Sequence, residues 1–363
     1  MLTPLSIVDS APVASTSFGA VRPALPPRVT CNASISRSTA AAAAAPAAVL
    51  CPVLLLQIRR RRISRHSAGL MTRNSSASSN ASSSSSSTFR IEPVEGKGLG
   101  VFAERSIACG ELIIAEAPAL AFSNGDTAEL KQQQFDHLPR HERDAVMGLY
   151  DNVAAANAEA TLEGIIQTNS YACDSDNFDM VVCPTISRFN HSCAPNCELS
   201  WDDELKEEHV YAATAIEPGE ELCTYFIDIV AVAAERQQAA RQRQGFECRC
   251  WLCSQGPNPV SDQRRNQLQQ LEEQLAMEGA DDPERGLEMI RDLLRLYDAE
   301  GIHLQSLRRQ ACFNASQLFI MLGDVEGASR WAKQAYWFSV RCQGPNHAET
   351  RTLIRHIKEL QFY

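Results

Sequence analysis

The chain has 363 residues and a formal net charge of −10, room for about two domains that each bury a core. The charge is unevenly placed: residues 1–88 hold nine arginines, no lysine and a single acid, Asp9, while residues 89–363 carry a net charge of −18. So acidic a body speaks against direct nucleic-acid binding and suits a basic partner such as a Lys/Arg-rich peptide, although solubility alone is the commoner reason for acidity. Thirteen cysteines without a clear secretory cleavage pattern imply a reducing compartment, where clustered cysteines bind metal more often than they pair.

Residues 1–88 stand apart from the folded body as a targeting segment, a linker or both. An Ala-rich run leads into Val49, Leu50, Val53, Leu54, Leu55, Leu56 and Ile58 and then meets Arg59-Arg60-Arg61-Arg62. A membrane span with a positive flank is one reading. Pro46, Pro52 and the weak hydrophobicity of alanine oppose it, and no membrane association is expected. Abundant Arg, Ser and Ala with almost no acid fits an organelle presequence better, and translation starting at Met71 is a third reading. From Met71 to Thr88 ten of eighteen residues are serine, the composition of a flexible linker.

Order is expected from Phe89-Arg90-Ile91. Gly96, Gly98 and Gly100 then alternate ahead of an apolar strand, Val101-Phe102-Ala103, where glycine permits positive φ or close approach to a ligand. This is no dinucleotide fingerprint, because a second strand, Leu112-Ile113-Ile114, follows where a helix would be needed. Residues 126–168 read as a helical insertion, with Leu130, Phe135, Leu138, Val146, Leu149 and Tyr150 at loosely helical spacing and an Ala/Asn-rich helix from Val153 to Ile166. No cysteine lies between Cys109 and Cys173, so the insertion holds no zinc finger. Asn169-Ser170-Tyr171 leads to short apolar pieces around Val181-Val182-Cys183 and Ile186.

The stretch Arg188-Phe189-Asn190-His191-Ser192-Cys193-Ala194-Pro195-Asn196-Cys197 is too polar for a core strand and too apolar at Phe189 for a free loop. That makes it a site signature. A strand at His209–Ala213, a turn at Ile216–Glu220 and a β-rich run from Glu221 to Asp228 follow, then a charged helix from Ala233 to Gln244. Next comes Gly245-Phe246-Glu247-Cys248-Arg249-Cys250-Trp251-Leu252-Cys253. Its C-x-C-x₂-C spacing sets three thiolates within six residues, close enough for one tetrahedral ion and too tight for unstrained disulfides. A zinc ion needs a fourth ligand, for which Cys193 is the first candidate and Cys197 the second.

From Ser261 the periodicity is helical. Leu268, Leu271 and Leu275 mark one stripe, and Asp282-Pro283 starts a helix through Leu287, Ile290, Leu293, Leu294 and Tyr297 that Gly301 stops. Leu304 to Leu322 forms the next, closed by Gly323. Asp324 caps one through Trp331, Ala335 and Phe338, and a last helix follows Gly344-Pro345. The small-then-aromatic rhythm of Ala328, Ala332, Ala335 and Tyr336 resembles tetratricopeptide helix pairs, its aromatic stripe reads as core, and the tail is expected to wall one side of a substrate cleft.

Taken together, Gly98-Leu99-Gly100, Asn190-His191-Ser192-Cys193 with Pro195-Asn196, Glu220-Glu221-Leu222 and the C-x-C-x₂-C segment resemble the SET-domain protein lysine methyltransferases. The likeness covers about residues 89–254. The finger-free insertion and the helical tail resemble the branch related to SET and MYND domain enzymes, without the MYND module. The resemblance implies an α+β fold of several small sheets with a knot-like core. Its parts would be a SET domain over 89–244, a zinc-bound post-SET segment over 245–256 and an all-α, tetratricopeptide-like domain over 261–363. It implies S-adenosylmethionine as cofactor, held by Lys97, Gly98, Leu99, Gly100, Asn169, Arg188, Asn190 and His191, with Phe246 stacking on its adenine. It implies a structural zinc ion on Cys193, Cys248, Cys250 and Cys253, and a lysine of a histone or other basic protein as substrate. A monomer is expected, in the nucleus or cytoplasm, or in a mitochondrion or other organelle if residues 1–70 act as a presequence.

One departure bears on catalysis. The family carries a tyrosine four residues after the leucine of the Glu-Leu strand, and here that position is Phe226. Tyr225 falls one place early, on the opposite face by strand alternation, and a one-residue bulge would be needed to restore it. Tyr225 and Phe226 are therefore the catalytic candidates. Gln244 stands where related enzymes place an aromatic residue in the lysine channel. A catalytically weak or silent SET scaffold, and a zinc-dependent interaction protein without cofactor, are the competing functions.

Overall fold

The structure, a computed structural model, describes residues 87–361 except 155–158, 174, 176 and 177. The presequence, membrane-span and alternative-start readings of residues 1–70, and all but the last two residues of the serine linker, lie outside the described residues. Among the described residues no helix is long and apolar enough to cross a membrane.

Among the described residues short strands build three small sheets. β1 (Phe89–Val94) and β2 (Gly98–Ala103) form a hairpin in register from Phe89↔Ala103 to Val94↔Gly98, and its turn uses positive φ at Gly96 and Gly98, 71° and 79°. β3 (Leu112–Glu116) and β4 (Leu120–Phe122) come next, then β5 (Tyr171–Ala172), β6 (Met180–Val182) and β7 (Asn190–His191). β8 (Cys197–Asp202), β9 (Glu207–Ala212) and β10 (Glu221–Thr224) complete the set. The sheet orders are β1-β2-β10-β7, β3-β9-β8 and β4-β6-β5. β10 lies antiparallel to β2 and parallel to β7, which brings the glycine hairpin and the Asn190-His191 pair onto one strand's two edges. Val101, Ile113, Val181, Ile186, Phe189, Val210 and Leu222 close the core between the sheets.

Among the described residues the insertion holds three helices, α1 (Ala128–Asp136), α2 (Arg140–Met147) and α3 (Leu162–Asn169). The helix expected from Val153 begins only at Leu162. The Asp151 carboxylate accepts the N–H groups of Val153, Ala154 and Thr161 at 2.9–3.0 Å, which curls the chain, and the Thr161 hydroxyl then caps α3 by accepting from Gly164 N–H.

After α4 (Ala233–Gln244) and the short α5 (Trp251–Ser254) the tail is helical: α6 (Pro259–Glu278), α7 (Pro283–Ala299), α8 (Gln305–Met321), α9 (Val325–Gln343) and α10 (Ala348–Glu359). Asn258 and Asp282 cap α6 and α7, each followed by a proline at the first position. Ala311, Ala315, Ala328, Ala332 and Ala335 are all buried, which lets α8 and α9 approach closely enough for Ser316 Oγ to donate to the Ala328 carbonyl at 2.9 Å. The tail docks on the sheets through polar and apolar contacts. Glu198 of β8 caps α8 by accepting the Gln305 and Ser306 N–H groups, and Ala213, Ile229 and Val230 pack with Leu268, Leu293, Tyr297 and Leu304. β9 is therefore buried almost continuously, because core covers one of its faces and helices the other.

Candidate functional site

Glu221 organises one side of the site. Its carboxylate holds Lys97 Nζ at 2.7 Å and accepts from Asn190 Nδ2 at 2.8 Å, and the same amide nitrogen donates to the Leu99 carbonyl at 3.2 Å. Burial opposes the charge of Lys97, but the hydrogen bond to Glu221 and the negative charge beside it together outweigh burial, so the ammonium stays protonated above its ordinary range. Gly100 sits directly against this group: a Cβ there would lie 2.6 Å from Val94, 3.0 Å from Asn190 Nδ2 and 3.1 Å from Glu221 Oε1. Leu99 beside it stays 38% exposed, and β10 pairs with β2 only at Val101 and Phe102, so the Gly98–Leu99 end of β2 has no strand partner on that side.

His191 is buried at the other side. Its Nδ1 accepts the Phe226 N–H at 3.1 Å and its Nε2 lies 3.3 Å from Cys193 Sγ. The rings of Phe226 and Phe246 flank it at centroid distances of 5.6 and 5.8 Å. Desolvation drops its pKa to about 4, so the ring is neutral at physiological pH. Tyr225 points elsewhere: it packs against the Leu268, Leu293 and Tyr297 cluster of the tail, and burial raises its phenol to about 12. β10 ends at Thr224, so the bulge that would return Tyr225 to the site does not form and the Phe226 ring occupies the place beside His191.

Four sulfur atoms gather under this pair. The thiols of Cys193, Cys248, Cys250 and Cys253 lie within 4.8 Å of one another, with Cys193 Sγ 3.8 Å from Cys248 and 3.6 Å from Cys253. A tetrahedral zinc site with Zn–S bonds of about 2.3 Å has S···S edges of about 3.8 Å, so the residues present fit that ion. None of the four is in a disulfide. Cys197, the second candidate for fourth ligand, instead belongs to the core cluster with Val181 and Phe189. Gln237 of α4 holds the cysteine segment by a reciprocal pair, donating to the Cys248 carbonyl at 2.7 Å and accepting its N–H at 3.1 Å.

The insertion supplies a third wall. Arg188 donates to the Gly148 carbonyl at 2.9 Å, and Asn169 Nδ2 donates to the carbonyls of Tyr150 and Ile165, both at 2.7 Å. Asn152, in the same loop, meets Gly245 at the start of the cysteine segment, 3.4 Å from the position of a Cβ. Arg188 and Asn169 thus tie the loop after α2 to the site, through Arg188 Nη2 and Asn169 Nδ2.

Residues 98–226 match the SET-domain family model. Over those residues the chain carries a SET domain. The SET domain is also what it shares with known enzymes. Histone-lysine N-methyltransferase set5 of Schizosaccharomyces pombe is 28% identical over 249 residues, 68% of this chain and 76% of that protein. Histone-lysine N-methyltransferase SMYD3 of Homo sapiens is 38% identical over 72 residues, 19% of this chain and 16% of its own length. N-lysine methyltransferase SMYD2 of Sus scrofa is 30% identical over 114 residues, 31% of this chain and 23% of its own. The chain thus spans less than a quarter of either SMYD protein's length, and most of the fission-yeast enzyme's.

Two residues that shape the SET-domain site were not singled out from the sequence. Glu221 was visible within the Glu-Glu-Leu motif, but its bonds to Lys97 and Asn190 cross 124 and 31 residues of chain. Gln237 lies in a polar helix with no motif around it, and no local signal marks it.

Proposed function

We propose that this chain is an S-adenosylmethionine-dependent protein lysine N-methyltransferase acting on a histone or another basic protein, with a structural zinc ion on Cys193, Cys248, Cys250 and Cys253. The observation that supports it best is the meeting, around β10, of the open Gly98–Gly100 edge, the Asn190-His191 pair and the Phe226 ring. When bound, the cofactor supplies an electrophilic methyl group on a sulfonium. Around it the chain's own residues do three things. Gly100 leaves backbone bare where a side chain could not fit, Asn190 is held in a fixed orientation by Glu221, and Phe246 covers the His191 side from water. A substrate lysine, with an ordinary pKa of about 10.4, must shed its proton to be a nucleophile. The apolar ring of Phe226 disfavours the ammonium form by desolvation. Alignment of the amine in a narrow channel supplies the rest of the rate, as proximity. The net charge of −18 over residues 89–363 favours approach of Lys/Arg-rich segments.

A second reading, a SET module that binds the cofactor without turnover, is favoured by one observation: Phe226 has no hydroxyl, and the Tyr225 side chain packs against the tail. Full-length protein incubated with methyl-labelled S-adenosylmethionine and mixed basic proteins separates the two. The enzyme reading expects label on substrate lysines and about tenfold more in Phe226→Tyr, the worth of one added hydrogen bond in the transition state. Cofactor binding with no label transferred by the wild-type chain would favour the silent module.

A further inference from the structure

His191 carries the Asn-His motif's only imidazole, and the resemblance assigns that residue to the cofactor. Both of its ring nitrogens, however, are engaged by the protein. The Phe226 N–H can only donate, so Nδ1, 3.1 Å away, must be the unprotonated nitrogen. A neutral imidazole with that tautomer carries its proton on Nε2, which faces Cys193 Sγ at 3.3 Å. That sulfur is one of the four that fit a zinc ion. The Cys193 backbone N–H also points into the cluster, 3.4 Å from Cys250 Sγ, so two N–H donors from this one turn reach the thiolates. The rings of Phe226 and Phe246 both pack against the imidazole, and His191 is only 6% exposed.

We infer that the His191 side chain is a positioning residue that joins the metal centre to the reaction channel: it donates Nε2–H to the Cys193 thiolate and accepts the Phe226 N–H on Nδ1. The inference rests on the zinc reading of the four cysteines. Donors of this kind orient metal ligands and temper their charge, and their removal typically costs ten- to a hundredfold in metal affinity. The second bond has a local purpose. β10 stops at Thr224, and the N–H two residues later has His191 in place of a strand partner, so the backbone that carries the Phe226 ring is set by an imidazole that the metal centre holds.

Two conservative variants separate the two bonds. In His191→Asn the side-chain oxygen reaches about as far as Nδ1 and keeps an acceptor for Phe226, but nothing extends to Cys193. In His191→Gln the terminal amide reaches about as far as Nε2 and keeps a donor for the thiolate, but the acceptor for Phe226 is gone. Zinc affinity of the full chain is measured by competition with a chromophoric chelator, and hydrogen exchange is followed on the peptide containing Phe226. His191→Asn is expected to bind zinc ten- to a hundredfold more weakly with exchange at Phe226 as slow as wild type. His191→Gln is expected to bind zinc within a few-fold of wild type with exchange at Phe226 at least tenfold faster. Any other pattern, including loss or retention of both properties in both variants, overturns the inference. A wild-type chain that takes up no zinc would overturn the metal reading beneath it, a result distinct from either variant's.

Discussion

Replacing Gly100 with alanine tests whether the bare edge of β2 is a requirement of the site or an accident of the hairpin. The added Cβ would lie 2.6 Å from Val94 Cγ2 and 3.0 and 3.1 Å from Asn190 Nδ2 and Glu221 Oε1. Carbon atoms normally rest about 3.5–4.0 Å apart, so the valine contact is short by about 1 Å. Val94 is half-buried in β1, opposite Gly98, and can yield only by changing rotamer or opening the hairpin. Asn190 and Glu221 hold each other at 2.8 Å, so the polar side of the clash moves both together. Overpacking of this kind costs roughly 1–3 kcal/mol, and each kcal/mol lowers the melting temperature of a domain this size by about 2–4 °C. Shifting the Asn190 amide by a few tenths of an ångström removes about one hydrogen bond from the cofactor, about a tenfold loss of affinity. Gly96→Ala provides the contrast: unlike Gly100 it has a positive φ, 71°, but nothing lies within 4 Å of the added atom, so it carries backbone strain of about 1 kcal/mol without any clash. Differential scanning calorimetry and titration with S-adenosylmethionine read both quantities. If Gly100→Ala binds the cofactor within twofold of wild type, the close-approach role of this glycine is refuted.

Two further outcomes follow from named groups. Cys193→Ser is expected to abolish stoichiometric zinc, whereas Cys197→Ser, outside the sulfur cluster, is expected to retain one ion per chain; metal analysis of the purified proteins checks both. Burial pushes the Glu208 carboxyl up to about 8, so it stays protonated in the native state while the unfolded chain ionises it above about 4.5. Its contribution is fully present below pH 4.5 and is lost as pH rises through 8, because the unfolded state then binds fewer protons than the native one. Urea unfolding of Glu208→Gln should show greater stability than wild type at pH 8.5 and less decline between pH 5 and 8.5, and an unchanged decline would contradict the assignment.

The sequence made the chemistry of Arg188–Cys197 and of the C-x-C-x₂-C segment visible because each packs several reactive residue types into a few positions. The link from Cys193 to the distant cysteines was open to reasoning by ligand count. Helix starts at Asp282 and Asp324 were also legible, since a capping side chain acts on its own neighbours. What was hidden depends on long-range geometry. Strands of two residues, such as Asn190–His191, are too short for any periodicity. The false start of the third insertion helix came from Asp151, whose carboxylate gathers three N–H groups that an Ala-rich stretch gives no reason to expect. The directions of Tyr225 and Phe226 could be posed but not chosen, because β10 ends one residue before them and an imidazole 35 positions away sets the next N–H.

The central claim is that the Gly98–Gly100 edge, Asn190 and the His191–Phe246 pair form a cofactor cradle. Isothermal titration of the zinc-loaded, full-length protein with S-adenosylmethionine tests it most directly. Saturable binding at one site per chain, weakened about tenfold by Asn190→Ala, is the predicted result. No detectable binding at millimolar cofactor, by a protein that melts cooperatively and holds its zinc, would contradict it.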